Sequence, residues 1–109
     1  MIYLHDKRCV ACEGGVPPLS KEAAKELLTQ VPDWDLAEEA DSIQRKFKFS
    51  TFPEAIEFVG KVAKIAEEEG HHPDIYISYN KVTLTLTTHA IHGLSENDFI
   101  LAAKVGRIS

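Results

Sequence analysis

Five histidines occur in the 109 residues, and three of them stand where regular elements should end. His71 and His72 follow the acidic run Glu67-Glu68-Glu69 and a helix-stopping Gly70, and His89 closes Thr87-Thr88-His89. Ends of elements hold a side chain firmly while leaving it open to a ligand. An imidazole titrates near neutrality, so two of them in opposite protonation states can serve as general acid and general base with no cofactor. Nucleophilic catalysis has no comparable support, since no G-x-S-x-G motif is present. A metal could recruit His71, His72, His89 and His92, the last two in H-x-x-H spacing. Adjacent histidines rarely share one ion, however, and no carboxylate completes a known metal pattern, so no metal ligand is assigned. His5 and His92 are isolated in polar surroundings and read as surface residues.

The elements that must position these rings can be taken in order. Residues 1–18 form an irregular arm punctuated by Gly14, Gly15, Pro17 and Pro18. Ser20 caps a helix whose apolar residues Leu19, Ala23, Ala24, Leu27, Leu28 and Val31 recur at helical spacing, ending before Pro32. Trp34 and Leu36 give a short strand, and Ile43, Phe47 and Phe49 a clearer one, with Glu38 to Asp41 as the turn. Thr51-Phe52-Pro53-Glu54 is a capping box opening a helix over about 52–69. Its apolar stripe is Phe52, Ala55, Ile56, Val59, Val62, Ala63 and Ala66, widened by Phe58 and Ile65. Glu68 and Glu69 read as a solvated charge run at the unfavourable pole of the helix dipole.

Ile75, Ile77 and Tyr79 then alternate with polar positions, Asn80-Lys81 turns the chain, and Val82, Leu84 and Leu86 alternate with Thr83, Thr85 and Thr87. Period two puts His89 on the threonine face. Ser95-Glu96-Asn97-Asp98 is a second capping box, opening a helix through Phe99, Leu101, Ala102, Val105 and Ile108. The order α-β-β-α-β-β-α predicts an α+β fold: a four-stranded antiparallel sheet with three helices on one face.

Composition narrows the function classes. Hydrophobic and charged contents of 44% and 27% are those of a globular protein, and the length suits one domain over residues 1–109. A net charge of −5 argues against nucleic acid as a partner. No apolar run approaches the ~20 residues that span a bilayer, and no signal-peptide pattern opens the chain, so a cytoplasmic protein is expected. Cys9-Val10-Ala11-Cys12 is half of a zinc site at best, and Gly14-Gly15-Val16-Pro17-Pro18 follows where a redox motif wants a helix. A structured arm is the preferred reading.

Taken together, His71-His72-Pro73, Tyr79-Asn80-Lys81-Val82, Thr87-Thr88-His89, Gly93-Leu94-Ser95 and Asp98 resemble the pterin-4a-carbinolamine dehydratases, also known as the dimerisation cofactor of hepatocyte nuclear factor. Leu19-Ser20, Trp34, Phe47-Lys48-Phe49, Phe52 and Ala55 extend the resemblance over about residues 19–105, and the arm from Cys9 to Ser20 looks like that of many bacterial members. The resemblance implies dehydration of 4a-hydroxytetrahydropterin to quinonoid dihydropterin in tetrahydrobiopterin recycling, without a cofactor. An aromatic amino acid hydroxylase would be the client. A homodimer or homotetramer is also implied, with sheet edges or the last helix at the interface.

Carried over by position, His71, His72 and His89 match the family's active-site histidines. His71 and His89 would be the acid–base pair at the 4a oxygen, and His72 would hold the pterin, its role exchangeable with that of His71. Glu67 would orient an imidazole or bind the ring, and Pro73, Thr87 and Thr88 would shape the pocket. Asp98 matches a family position and reads equally well as a helix cap. The chain departs from many relatives at Gly70, at Ile75 (an aliphatic pocket wall where animal members have tryptophan), at Ala90-Ile91-His92, and at Asn97 in place of arginine. Two rival readings are a non-catalytic pterin-binding or protein-interaction module, and a role in molybdenum-cofactor metabolism.

Overall fold

β-Branched and aromatic residues at alternate positions commit two pairs of segments to strands, and their register fixes which side chains meet. In the computed structural model, which describes residues 3–10 and 16–109, β1 (Asp35–Leu36) and β2 (Ile43–Lys48) form one pair. The other is β3 (Asp74–Ser78) with β4 (Lys81–Leu86). The sheet is antiparallel throughout in the order β1-β2-β4-β3, because β4 inserts beside β2 with Ile43 opposite Leu86 and Phe47 opposite Val82. One face presents Ile43, Phe47, Val82, Leu84 and Leu86 to the core, while Gln44, Lys46 and Lys48 face outward.

Three helices cover that inner face: α1 (Lys21–Leu28), α2 (Phe52–Glu69) and α3 (Glu96–Ile108). The element order and architecture agree with the expectation from periodicity. Among the described residues no helix is long and apolar enough to cross a membrane. Ser20 Oγ accepts the Ala23 N–H at 3.1 Å and Thr51 Oγ1 the Glu54 N–H at 3.2 Å, so both predicted N-caps form. The sides of α2 differ from the predicted stripe. Ala55, Phe58, Val62 and Ala66 are the buried set, whereas Phe52 and Ile56 stay exposed. By contrast α3 is sunk into the core, with Phe99, Ile100, Leu101, Ala102 and Val105 all buried.

Boundaries shift where local hydrogen bonds compete. The helix expected to run to Pro32 ends at Leu28. Gln30 and Val31 N–H groups then bond three residues back, to Leu27 and Leu28, in a tighter turn. Trp34 lies outside β1 and inserts into the core instead. The β3–β4 turn is Tyr79-Asn80, not Asn80-Lys81, since Ser78 pairs with Lys81. Tyr79 takes a φ of 54°, and Asn80 supports the turn by donating from Nδ2 to the Phe49 carbonyl at 2.7 Å.

The described part of the arm holds one regular turn. Leu4–Asp6 makes a single 3-10 turn against α3, with Leu4 buried. Further on, the Leu19 N–H donates to the Leu94 carbonyl at 2.8 Å. There the arm crosses Gly93 so closely that a Cβ on that residue would sit 2.6 Å from Pro18 Cβ. Gly93→Ala should therefore push the arm away and destabilise the protein by about 2 kcal/mol, read as a lowered urea midpoint. An unchanged midpoint would mean that the arm does not press on this loop.

Candidate active site

The site begins with how α2 stops. Gly70 adopts the left-handed conformation (φ 65°), and the Gly70 and His71 N–H groups both reach back to the Ala66 carbonyl. This turn aims His71 towards the start of α3. There His71 Nε2 lies 2.6 Å from Asp98 Oδ1, with the histidine side chain 11% exposed and the aspartate 0%. A carboxylate oxygen accepts, so the contact matches a His71 ring that donates from Nε2–H, with Nδ1 on the other side of the ring.

The second Asp98 oxygen is as fully used. Oδ2 accepts the Thr88 hydroxyl at 2.8 Å and the Ser95 N–H at 3.0 Å, which caps α3. Thr88 also lies 2.8 Å from Ser95 Oγ, and its backbone pairs with Gly93, with Thr88 N–H donating to the Gly93 carbonyl at 2.8 Å. The loop thus closed is a 3-10 turn, His89–Ile91, that presents His89 outward while Ile91 is buried beneath it. The strand pleat ends at Leu86, so His89 owes its exposure to this turn rather than to the threonine face of β4.

His71, His72, His89, Thr87 and Thr88 therefore line one cleft of about 250 Å³, joined by Val10, Gly70, Ala90 and Asn97. Not every predicted residue reaches it. Asp98 is wholly buried behind His71, 2.6 Å from its Nε2, and is not among the residues that line the cleft. Glu67 faces His72 instead, Oε2 to Nε2 at 3.0 Å, where both side chains are exposed and the pair is weak. Pro73 and Ile75 lie outside the lining, in which Val10 is the one large aliphatic residue among those described. His92 also lies outside it, and His5 stacks on Tyr3 elsewhere.

Sequence reasoning passed over three residues here. Glu69 is no solvated charge: its side chain is 8% exposed, Oε1 accepts the Cys9 N–H at 2.8 Å, and Oε2 pairs with Lys104 at 3.2 Å. The Cys9 N–H, followed by Lys104, holds the Glu69 carboxyl below its ordinary range against the opposing effect of burial. Its contribution to stability is present above the ordinary carboxylate value of 4.5 and is lost as pH falls through the lowered one. Asn97 and Val10 bond each other across the cleft rim. An acid at the wrong pole of a helix was the only available signal for Glu69. Asn97 was marked only as a departure from the arginine of many relatives, and nothing marked Val10.

Cys9 is a free thiol whose pKa burial, then the Glu69 charge, pushes up to about 12, so it stays protonated at neutral pH. Its predicted companion Cys12 lies outside the described residues. Among the described residues, no group of three or more histidine, cysteine or acidic side chains is placed to hold a metal ion.

Comparison with known proteins gives this cleft a family. The model of the family described as "Pterin 4 alpha carbinolamine dehydratase" matches residues 17–108. Proteins named "Putative pterin-4-alpha-carbinolamine dehydratase" include one from Halorhodospira halophila, 51% identical and covering 94% of both chains. Another, from Rubrobacter xylanophilus, is 45% identical over 99% of this chain and 100% of its own. The crystal structure of a transcriptional coactivator/pterin dehydratase from Brucella melitensis superposes with a TM-score of 0.78 at 34% identity, covering 84% of this chain and 97% of that one. A pterin dehydratase-like protein identified as a RuBisCO assembly factor in the alpha-carboxysome shares the fold at 23% identity and a TM-score of 0.60, over 70% of this chain and 88% of its own. With the family model matching from the end of the arm to the last turn of α3, the chain belongs to the pterin 4 alpha carbinolamine dehydratase family.

Proposed function

We propose that this chain dehydrates 4a-hydroxytetrahydropterin to quinonoid dihydropterin, with the histidines of the cleft as its acid and base. The observation that supports this most is the convergence of three imidazoles on one cleft, one of them oriented by a buried carboxylate. In the reaction the C4a–O bond breaks, the oxygen leaves as water after gaining a proton, the N5 lone pair forms the C4a–N5 double bond, and N5 then loses its proton. One protonated imidazole and one neutral imidazole perform both transfers and exchange their states with each turnover. Asp98 fixes the His71 tautomer, His89 is the partner at the 4a oxygen, and His72, held by Glu67, binds the pterin. Thr87 and Thr88 form the floor between them.

The whole chain acts as one domain in this reading, in the cytoplasm, recycling the carbinolamine released by an aromatic amino acid hydroxylase. It forms a homodimer or homotetramer. The sheet edges or the last helix form the interface in this reading; among the described residues, exposed apolar side chains favour the β3 edge, with Ile75, Tyr76 and Ile77, and add the Phe52–Ile56 side of α2. The same uncovered apolar side of α2 favours, as a second reading, a protein-interaction module. The coactivator name of the Brucella melitensis protein is consistent with that alternative.

Carbinolamine generated in situ by a hydroxylase separates the readings. The wild type should accelerate dehydration with or without chelator. His72→Ala should weaken binding, and His71→Ala/His89→Ala should lose about 10²–10⁴-fold while remaining folded. Asp98→Asn, whose amide can donate to His71 Nε2 and so reverse the tautomer, should lower kcat by about 10²-fold or more. No acceleration over buffer by the wild type would leave the interaction module standing instead. For the assembly, Ile77→Lys should lower the mass measured by light scattering to that of one chain if β3 is an interface. An unchanged mass would exclude that edge.

A further inference from the structure

The N-terminal arm reaches the cleft from outside the two segments that supply the histidines, the α2–β3 connection and the 3-10 turn after β4, and it is held there at several points. Leu4 is buried against α3, and Lys7 Nζ meets Glu96 at 3.3 Å. The Cys9 N–H is bound by Glu69, and the Cys9 thiol points at the Asn97 carbonyl at 3.5 Å. Asn97 then grips the next residue twice: its Oδ1 accepts the Val10 N–H at 3.0 Å, and its Nδ2 donates to the Val10 carbonyl at 2.6 Å. This two-point bond copies one rung of an antiparallel ladder, with a side-chain amide in place of a second strand.

The burial pattern shows where this effort is directed. Asn97 is 5% exposed, so its amide is wholly committed to the arm, whereas Val10 is 72% exposed. A core-building contact would have buried the valine. Here the backbone of residue 10 is fastened to the protein at both its N–H and its carbonyl, while the residue stays exposed and lines the histidine cleft. An apolar group held rigidly beside polar catalytic groups is how a site covers the flat face of a heterocycle without losing ordering entropy on binding.

Building on the dehydratase reading, we infer that Val10 is a specificity-determining wall of the pterin cleft, and that Asn97, assisted by Glu69, is the positioning residue that holds it in place. The arm would then tune substrate affinity rather than the proton transfers. Truncating the wall and releasing its clamp remove the same contact, so their effects should not add.

The test uses the full-length protein as Val10→Ser, Asn97→Leu and the double variant. Carbinolamine turnover and direct titration with 7,8-dihydrobiopterin are both measured. Val10→Ser changes a surface side chain and leaves folding intact, and melting curves check Asn97→Leu. Covering roughly 50 Å² of apolar surface corresponds to about tenfold in affinity. Each single variant should raise KM and the pterin Kd by about five- to tenfold, with a smaller change in kcat, and the double variant should match the larger single effect. Values of KM and Kd within twofold of the wild type, or a fall in kcat alone, would overturn the wall while leaving the dehydratase reading intact. A wild type that neither turns over carbinolamine nor binds the pterin would overturn both.

Discussion

One carboxylate joins the fold to the chemistry. Asp98 has no exposed surface, and a bare charge in that position would be strongly destabilising. It is tolerated because each oxygen is occupied: one by the His71 ring, the other by the Thr88 hydroxyl and the N–H that opens α3. These partners come from the end of α2, the end of β4 and the start of α3. Three separately patterned elements are thereby obliged to meet at one point, and that point lies directly behind the cleft.

The consequences spread outward from there. Gly70 must stop α2 in a left-handed turn for His71 to reach Asp98, and the same stop leaves Glu69 facing the arm and Lys104. Thr88 must turn its hydroxyl inward, which ends the alternation of β4 and lets the following 3-10 turn offer His89 to the cleft. The arm is then fixed across the N-terminal turn of α3 by Glu69 and Asn97. His71, the cap of α3 and Thr88 are thus joined through Asp98 in one buried network of hydrogen bonds, and the arm is tied beside it through Glu69 and Asn97. Such networks are strong when complete and costly when a single member is removed.

Much of this was legible in the chain itself. The two strand pairs, the N-caps of the helices, the full capping box of α3 and much of the buried stripe of α2 follow from periods and caps that act locally, and the three histidines stood out by their positions at the ends of elements. What periodicity could not reveal was the use of a residue by a distant segment. Asp98 read equally as a cap and as a site residue because it caps α3 with one oxygen and bonds His71 with the other. Glu69 read as solvated because its partners, Cys9 and Lys104, are remote in sequence. Ile75 was expected in the cleft wall and Val10 was not, yet the lining has Val10 and lacks Ile75, since nothing local tells where an irregular arm comes to rest. Phe52 and Ile56 fit the helical stripe and yet stay exposed, because a period gives the width of an apolar face but not how much of it one chain covers.

The most direct test of this account is the protonation of His71 itself, observed by ¹⁵N nuclear magnetic resonance of the imidazole in the wild type near neutral pH. If Asp98 dictates the ring's tautomer, the neutral His71 will carry its proton on Nε2, with Nδ1 free, and His72 and His89 will serve as internal comparisons. A proton resident on Nδ1, or one averaged evenly between the two nitrogens, would contradict the claim that the buried carboxylate prepares this histidine for its task.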